Sequence, residues 1–510
     1  MSKKENMIVN RETKYLYFLA LLYFVASFIG ILHHELWLDE SHHWLISRDS
    51  VSFADLIDNT RYEGHPILWN ILLYGITRFT LNPIWMQLLH IVISAGAVLI
   101  FLKKAPFSLV FKTLFIFGYF VIFEYNLISR NYILGLFFLF LACSVFKDRN
   151  RKFILLCFFL ALACNTHLIF GVIAFAVFLT LLLENFQNKK LFTKSHMIGY
   201  LVFLIGVLLV IAQVVPPDDN PFFIRLDTIP LAEKFIKGFI SLFKGLLTIP
   251  DFHSIHFWNS NILVNYSKPL SAIFGLLLYL LPVVLFRNRK ALFFVYVALF
   301  GTQVFFFVTQ LGATRYDGIT YVIFIIGFWI DHYFNDKKIA FLNTPMWEFI
   351  RKSIIYTILI IHFCSGMYAY AMDYKYPFTT AKNVVDYMKQ KKLAEKEVVT
   401  ITCDGTLISP FLEKKVYFLC DGNYESYCHW YRFCTTDITH KQIIDLLTGY
   451  MQNHDEAVFV SYYPITDNRD NRWENIEGKF KIRFYKRSGE SIIRNNSLYI
   501  YEVAKLTYAE

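Results

Sequence analysis

"LWLDESHHWLISRDS", residues 36–50, decides how this chain is read. An apolar run, "YLYFLALLYFVASFIGILHHELW" (15–37), leads into it, and two carboxylates, Asp39 and Glu40, follow at once, then His42 and His43. A run of that length crosses a bilayer as a helix, so the acid pair stands at a membrane edge. No small-residue cleavage site follows the run, which therefore reads as a retained span and not as a removed signal peptide. Comparable runs recur through the first three quarters of the 510 residues, of which 56% are hydrophobic and only 18% charged. That balance excludes an ordinary soluble globule and describes an α-helical polytopic membrane protein.

The basic N-terminus, "MSKKENMIVNRETK" (1–14), is placed in the cytoplasm. Further basic loops lie at 103–104, 147–152, 188–194, 287–290 and 335–338, and they hold much of the net charge of +10. Such charge orients spans and is no signature of nucleic-acid binding. With all these loops inside, spans fall at 15–36, 83–102, 107–123, 131–146, 153–166, 168–184, 196–215, 268–286, 291–311, 319–334 and 353–371, about eleven in all. "HPILWNILLYGITRF" (65–79) is too short to cross and reads as a juxtamembrane or half-inserted helix. The outer side then holds 37–82, 124–130, 216–267, 312–318 and everything after about 371.

Four outer clusters carry the chemistry: "LDESHH" with Asp39 and Glu40; "RYEGHPILW" with Arg61, Glu63 and His65; "FEYNLISRNY" with Glu124, Arg130 and Tyr132; and "LGATRYDG" with Arg315 and Asp317. His167 in "CNTHLIF" lies at an outer span end. Ionisable groups at bilayer depth are costly and mark sites by default. A carboxylate takes a proton from an acceptor hydroxyl, and arginines grip phosphate through forked charged hydrogen bonds. Acid plus arginine at one leaflet suits group transfer from a substrate with a lipid tail and a phosphate headgroup. A base working near neutral pH gains from a raised pKa, which partial burial is expected to give Asp39. Each arginine alone reads equally as an interfacial anchor, and Tyr132 and His167 as packing residues. The paired histidines His33, His34, His42 and His43 resemble a metal site only superficially, because adjacent side chains seldom point one way and no spaced ligand motif accompanies them. No P-loop, dinucleotide-binding or serine-elbow motif is placed to work.

"WLDES", a loop of about thirty residues, and then "HPILWNILLYG" resemble the GT-C glycosyltransferases, most closely the branch of the protein O-mannosyltransferases and the lipid A aminoarabinose transferase. Ile67 stands where that branch often has a second proline. "SRNYILGL" and "GATRYDG" resemble later outer-loop segments of the branch. The resemblance implies a polyprenyl-phosphate sugar as donor and inverting, in-line transfer to a cell-surface glycan, lipopolysaccharide or O-antigen, lipid or protein. It implies no resident cofactor, the lipid-linked sugar being substrate, and leaves a divalent metal open. It puts Asp39 at the catalytic acid position with Glu40 as the alternative, and His65 at the loop-end position; Glu63, His65, Glu124, Arg130, Tyr132, His167 and Arg315 are the expected substrate contacts. The rival class is a carrier or flippase for lipid-linked sugars, which would place its charges near the midplane and show repeat symmetry.

The expected domains are a transmembrane GT-C-like unit, 1–371, with its first outer loop at 37–82, and an extracytoplasmic α/β domain, 372–510. In the tail, "TTAKNVVDYMKQKK" and "THKQIIDLLTGYMQ" have helical periodicity, whereas "VVTITC", "KKVYFLC", "AVFVSYY", "KFKIRFYKR" and "SLYIYEVAK" read as strands. Cys403, Cys420, Cys428 and Cys434 pair in one of three ways in an oxidising space, where at least one disulfide is expected. Richness in phenylalanine and lysine is that of a low-GC bacterium, which makes the inner membrane the expected location.

Overall fold

A computed structural model describes residues 3–215, 217, 229–309, 312–334, 344–429, 438–466 and 468–506, with side chains from residue 12 onward. Among them, seven helices are long and apolar enough to cross a membrane: Glu12–His33, Ile84–Lys104, Leu168–Gln187, Lys194–Val214, Lys268–Leu285, Arg289–Thr309 and Pro345–Lys375. Leu201, Leu204, Ile205, Leu208 and Leu209 are exposed along one of them, a surface that a bilayer solvates and water does not. The chain is an integral membrane protein.

The other four expected spans are shorter or more polar helices. Residues 107–123 form helix Leu109–Ile116 and then a π-turn, Phe120–Glu124. Tyr132–Val145 and Phe153–Cys164 follow at their expected places. Thr314–Asp331 begins five residues before the expected 319, because Arg315 and Asp317 fold into its first turn. "HPILWNILLYGITRF" contains helix Leu68–Thr77, ten residues long. It spans only about 15 Å, half the hydrocarbon thickness, so it does not cross. The basic loop at 335–338 lies outside the described residues.

The two ends of the bundle differ in charge. At one end Arg149 forks onto Glu184 with two bonds of 2.6 Å, and Lys290 approaches the same carboxylate at 3.9 Å. Arg149 and Lys290 belong to the basic loops 147–152 and 287–290. At the other end 34–50, 61–67, 124–131, 166–167 and 313–317 come together, and 34–50 also meets the tail. Within the expected outer loop 216–267 there is an amphipathic helix, Leu231–Leu246, which had no counterpart in the sequence reading. Gly245 permits its close approach to Thr314–Asp331: a Cβ there would lie 2.2 Å from the Asp317 carbonyl.

The tail is an α/β unit. Its strands are β1 (Val398–Thr400), β2 (Val416–Phe418), β3 (Asn423–Glu425), β4 (Glu456–Ser461), β5 (Trp473–Ile476), β6 (Phe480–Arg487) and β7 (Tyr499–Lys505). They make one seven-stranded sheet in the order β3-β2-β1-β4-β7-β6-β5. β1 is parallel to β2 and β4, and the remaining pairs are antiparallel. Side chains alternate across the strands. Val398, Val458 and Ile500 face helices Ala381–Gln390 and Cys403–Leu412, while Val399, Phe459 and Tyr501 face helix His440–Asn453. Helix Cys403–Leu412 and strands β3 and β5 were not anticipated, being short and flanked by polar residues.

A disulfide joins Cys403 to Cys428 across 25 residues, and the Cys428 N–H donates to Thr406 Oγ1 at 2.9 Å. Cys420 is also disulfide-bonded, and Cys434 lies outside the described residues. Replacing Cys403 and Cys428 by serine is expected to destabilise the tail by about 3 kcal/mol. Limited proteolysis of the full chain in lipid checks this, and an unchanged cleavage rate would show that the bridge contributes nothing.

Candidate active site

Helix Leu38–Asp49 carries the acid pair. Trp37 precedes it in an extended conformation, and Glu40, at the third helical position, accepts the Trp37 N–H at 2.8 Å, one half of a capping box. Both acids lie in the first turn, which the helix dipole favours. Two contacts fix the helix further along. Asn70 of Leu68–Thr77 meets His43 at 3.1 Å. Arg78 donates to the carbonyls of Ser47, Ser50 and Arg48 at 2.7–3.1 Å, satisfying the helix's last acceptors.

The two carboxylates then diverge. Glu40 is fully buried and accepts the Ser129 N–H at 2.5 Å, the Trp37 N–H and a His34 ring nitrogen at 3.1 Å. The Asp39 side chain keeps 24% exposure, forms an ion pair with Arg130 and stands 3.7 Å from Arg315. Burial alone would raise the Asp39 pKa, but the two guanidiniums outweigh it and hold the carboxyl below its ordinary value. This overturns the expectation of a raised pKa: the neighbours that burial brought close are cations.

Each arginine is placed by aromatic and backbone partners. Arg130 follows a loop braced by His90, whose Nδ1 donates to the Asn126 carbonyl at 3.0 Å and whose Nε2 accepts the Arg130 N–H at 3.1 Å. Arg315 lies 4.6 Å over the Trp37 ring and 4.9 Å over Tyr316. Tyr125, just past the π-turn, donates to the Arg315 carbonyl at 2.6 Å and stacks on Tyr132 at 5.5 Å. Single π-turns recur at functional sites. The Nε–H groups of Arg130 and Arg315 are buried without an acceptor.

Gly64 turns the chain between Glu63 and His65 with a φ of +64°, a conformation that suits glycine. Glu63 is thereby directed to His42, whose Nε2 donates to it at 2.7 Å. His65 faces the other way, 3.4 Å from Arg130 and 4.5 Å ring to ring from His167. His167 caps helix Leu168–Gln187, accepting the Ile169 N–H at 3.1 Å, and its Nε2 lies 3.4 Å from the Tyr132 hydroxyl.

The structure thus gathers Asp39, Arg130, Arg315, His65, His167 and Tyr132 in one cluster, with Glu63 attached through His42. Glu124 sits behind Trp258, which donates to it at 3.0 Å. Asp317 turns away to Lys244 at 2.8 Å and Ser241 at 2.5 Å, and Arg61 is exposed. Trp37, Trp258, His90 and Tyr125 were missed, since nothing local separates them from packing residues. Among the described residues, no group of three or more His, Cys, Asp or Glu is arranged to hold a metal ion.

No protein-family profile matches the sequence, and no curated protein matches it at a significant level. Solved structures do match in shape. ArnT from Cupriavidus metallidurans, bound to undecaprenyl phosphate, superposes with a TM-score of 0.50 at 12% identity, covering 97% of this chain and 99% of that one. The same protein in the apo state gives 0.45 at 12% identity, over 88% and 93% of the two chains. ArnT is a lipid A aminoarabinose transferase with a GT-C fold. The helical bundle with its sheet-bearing tail therefore has the ArnT-like GT-C fold.

Burial, and then the Arg130 charge, holds His65 down at about 4 and His43 well below its ordinary value. Burial, His65 and Arg130 do the same to His167. A group with a lowered pKa is charged only below it, so these imidazoles are expected to stay neutral between about pH 5 and 8. Nitrogen chemical shifts of labelled histidine check this, and a titration near 6.5 assigned to His65 would contradict it.

Proposed function

We propose that the protein is an inverting glycosyltransferase that moves a sugar from a polyprenyl-phosphate donor to an acceptor on the outer side of the membrane. The observation that carries this is Asp39 beside two arginines whose buried Nε–H groups lack acceptors. Buried donors normally have partners, and two guanidinium forks converging at a bilayer edge suit a lipid-borne phosphate. The fold supports the reading, since an ArnT structure of the same fold is bound to undecaprenyl phosphate.

The donor phosphate takes the arginine N–H groups and competes with Asp39 for their charge. Asp39 then accepts the proton of the acceptor hydroxyl. The acceptor oxygen bonds to the anomeric carbon as the bond from that carbon to the phosphate oxygen breaks. The departing electron pair stays on the phosphate, where Arg130 and Arg315 stabilise it. Neutral His65 and His167, with Tyr132 and Glu63, line the sugar and acceptor paths, and Glu124 stands behind them, bonded to Trp258. Glu40, wholly consumed by its hydrogen bonds, holds the loop. The acceptor is a cell-surface glycan such as lipopolysaccharide or O-antigen, a lipid or a protein. The basic loops at the far end and the disulfide-bonded tail support a cytoplasmic N-terminus, with the site and the tail outside a bacterial inner membrane.

The test is donor consumption by protein in lipid, supplied with a panel of polyprenyl-phosphate sugars and an envelope extract. Wild type is expected to release polyprenyl phosphate. Asp39→Asn is expected to lower kcat on the order of 10²–10⁴-fold, and full activity in that variant would overturn the reading. Movement of lipid-linked sugar between leaflets without consumption would replace it with a carrier.

The pH profile offers a second check. Asp39 must be ionised to accept a proton, so activity is lost as pH falls through its pKa. In the free enzyme the arginines lower that pKa, and donor phosphate relieves them. The acid limb of kcat is therefore expected at higher pH than that of kcat/KM for the donor. Coincident limbs would show that phosphate and Asp39 do not share the arginines.

A further inference from the structure

His34 lies one residue beyond the first span and is buried with two carboxylates. Its Nδ1 meets Asp373 at 2.9 and 3.1 Å, and its Nε2 meets Glu40 at 3.1 Å. The side chains of His34 and Glu40 are 0% exposed and that of Asp373 is 1%. A neutral imidazole carries one N–H and would point a lone pair at one of these carboxylates. Two buried carboxylates, each facing a ring nitrogen, are matched by the imidazolium, and removing it would leave Asp373 without the ring and Glu40 held only by two backbone N–H groups.

What this cation holds lies next to the proposed chemistry. Glu40 receives the N–H of Trp37 on one oxygen and that of Ser129 on the other. It thus links the start of the Asp39 helix to the residue preceding Arg130. The Trp37 ring lies 4.6 Å from the Arg315 guanidinium and 5.7 Å from that of Arg130. Asp373 comes from the last span and brings that helix to the same point. The tail fixes the segment as well: Thr379 donates to the Leu36 carbonyl at 3.0 Å, and Asn383 donates to Glu35 at 2.9 Å.

We propose that His34 is a positioning residue, an imidazolium clamp between Glu40 and Asp373 that sets the register of Asp39 against Arg130 and Arg315. The clamp touches no substrate and acts through Asp39; the proposal rests on the transferase reading above.

The test is steady-state kinetics of His34→Gln in lipid, with His33→Gln as a neighbouring control whose ring packs on Tyr374. A displacement of about 1 Å at the reacting groups lowers kcat on the order of 10²-fold. The donor KM is expected to stay within about twofold, because His34 contacts neither arginine. The double variant with Asp39→Asn is expected to be no slower than Asp39→Asn alone. Unchanged kcat in His34→Gln, a loss that appears in KM, or losses that multiply with Asp39→Asn would each overturn the clamp. If His34→Gln does not fold, Asp373→Asn, which preserves volume, is held to the same three results. An inactive Asp39→Asn beside a fully active His34→Gln defeats the clamp and leaves the transferase standing. An active Asp39→Asn defeats both.

Discussion

One carboxylate facing two guanidiniums is the constraint on which the site depends. Arg130 comes from the loop before helix Tyr132–Val145 and Arg315 from the first turn of Thr314–Asp331, and Asp39, between them, offsets their mutual repulsion. Each also rests on aromatic faces and keeps its Nε–H unpartnered. In the reaction proposed above, the donor phosphate replaces Asp39 as their counter-charge. The lowered Asp39 pKa is compatible with that proposal, in which the carboxylate acts as base only after the exchange.

Much of this was legible in the chain. Span lengths, the non-crossing helix Leu68–Thr77 and the alternating strands of the tail follow from periodicities that side-chain burial imposes locally. The acid pair, Arg130, Arg315, His65 and His167 could be nominated because ionisable residues at span ends are expensive. What could not be read is whatever depends on partners distant in sequence. The Asp39 pKa was expected to rise from burial, and it falls because Arg130 and Arg315 arrive from 91 and 276 residues away. Asp317 shares a motif with Arg315 yet faces Lys244 from a helix that had not been foreseen. His34 looked like a member of a doubtful metal cluster because Asp373, its partner, lies 339 residues on.

The tail bears directly on the same end of the bundle. Its first residues bond the 34–37 segment, and Ser426 contacts Asp49 at the far end of the site helix. Tyr427 meets the His42 ring edge-on at 5.5 Å. The Cys403–Cys428 bridge holds this stretch to helix Cys403–Leu412, which itself packs on the site helix. A covalent constraint in the tail is thus mechanically connected to the helix that presents Asp39.

Adjacent acids at a helix start cannot share a role. Successive helical residues point about 100° apart, so "DE" at residues 39–40 directs one carboxylate into the arginine cluster and the other into the protein. Glu40, the longer side chain, reaches back to the Trp37 N–H and across to Ser129, which an aspartate at that position would be too short to do. Asp39 is short enough to remain at the edge, where arginines and solvent both reach it. The pair works because the helix separates it: a fully satisfied carboxylate supplies rigidity, and a partly exposed one remains free to change partners.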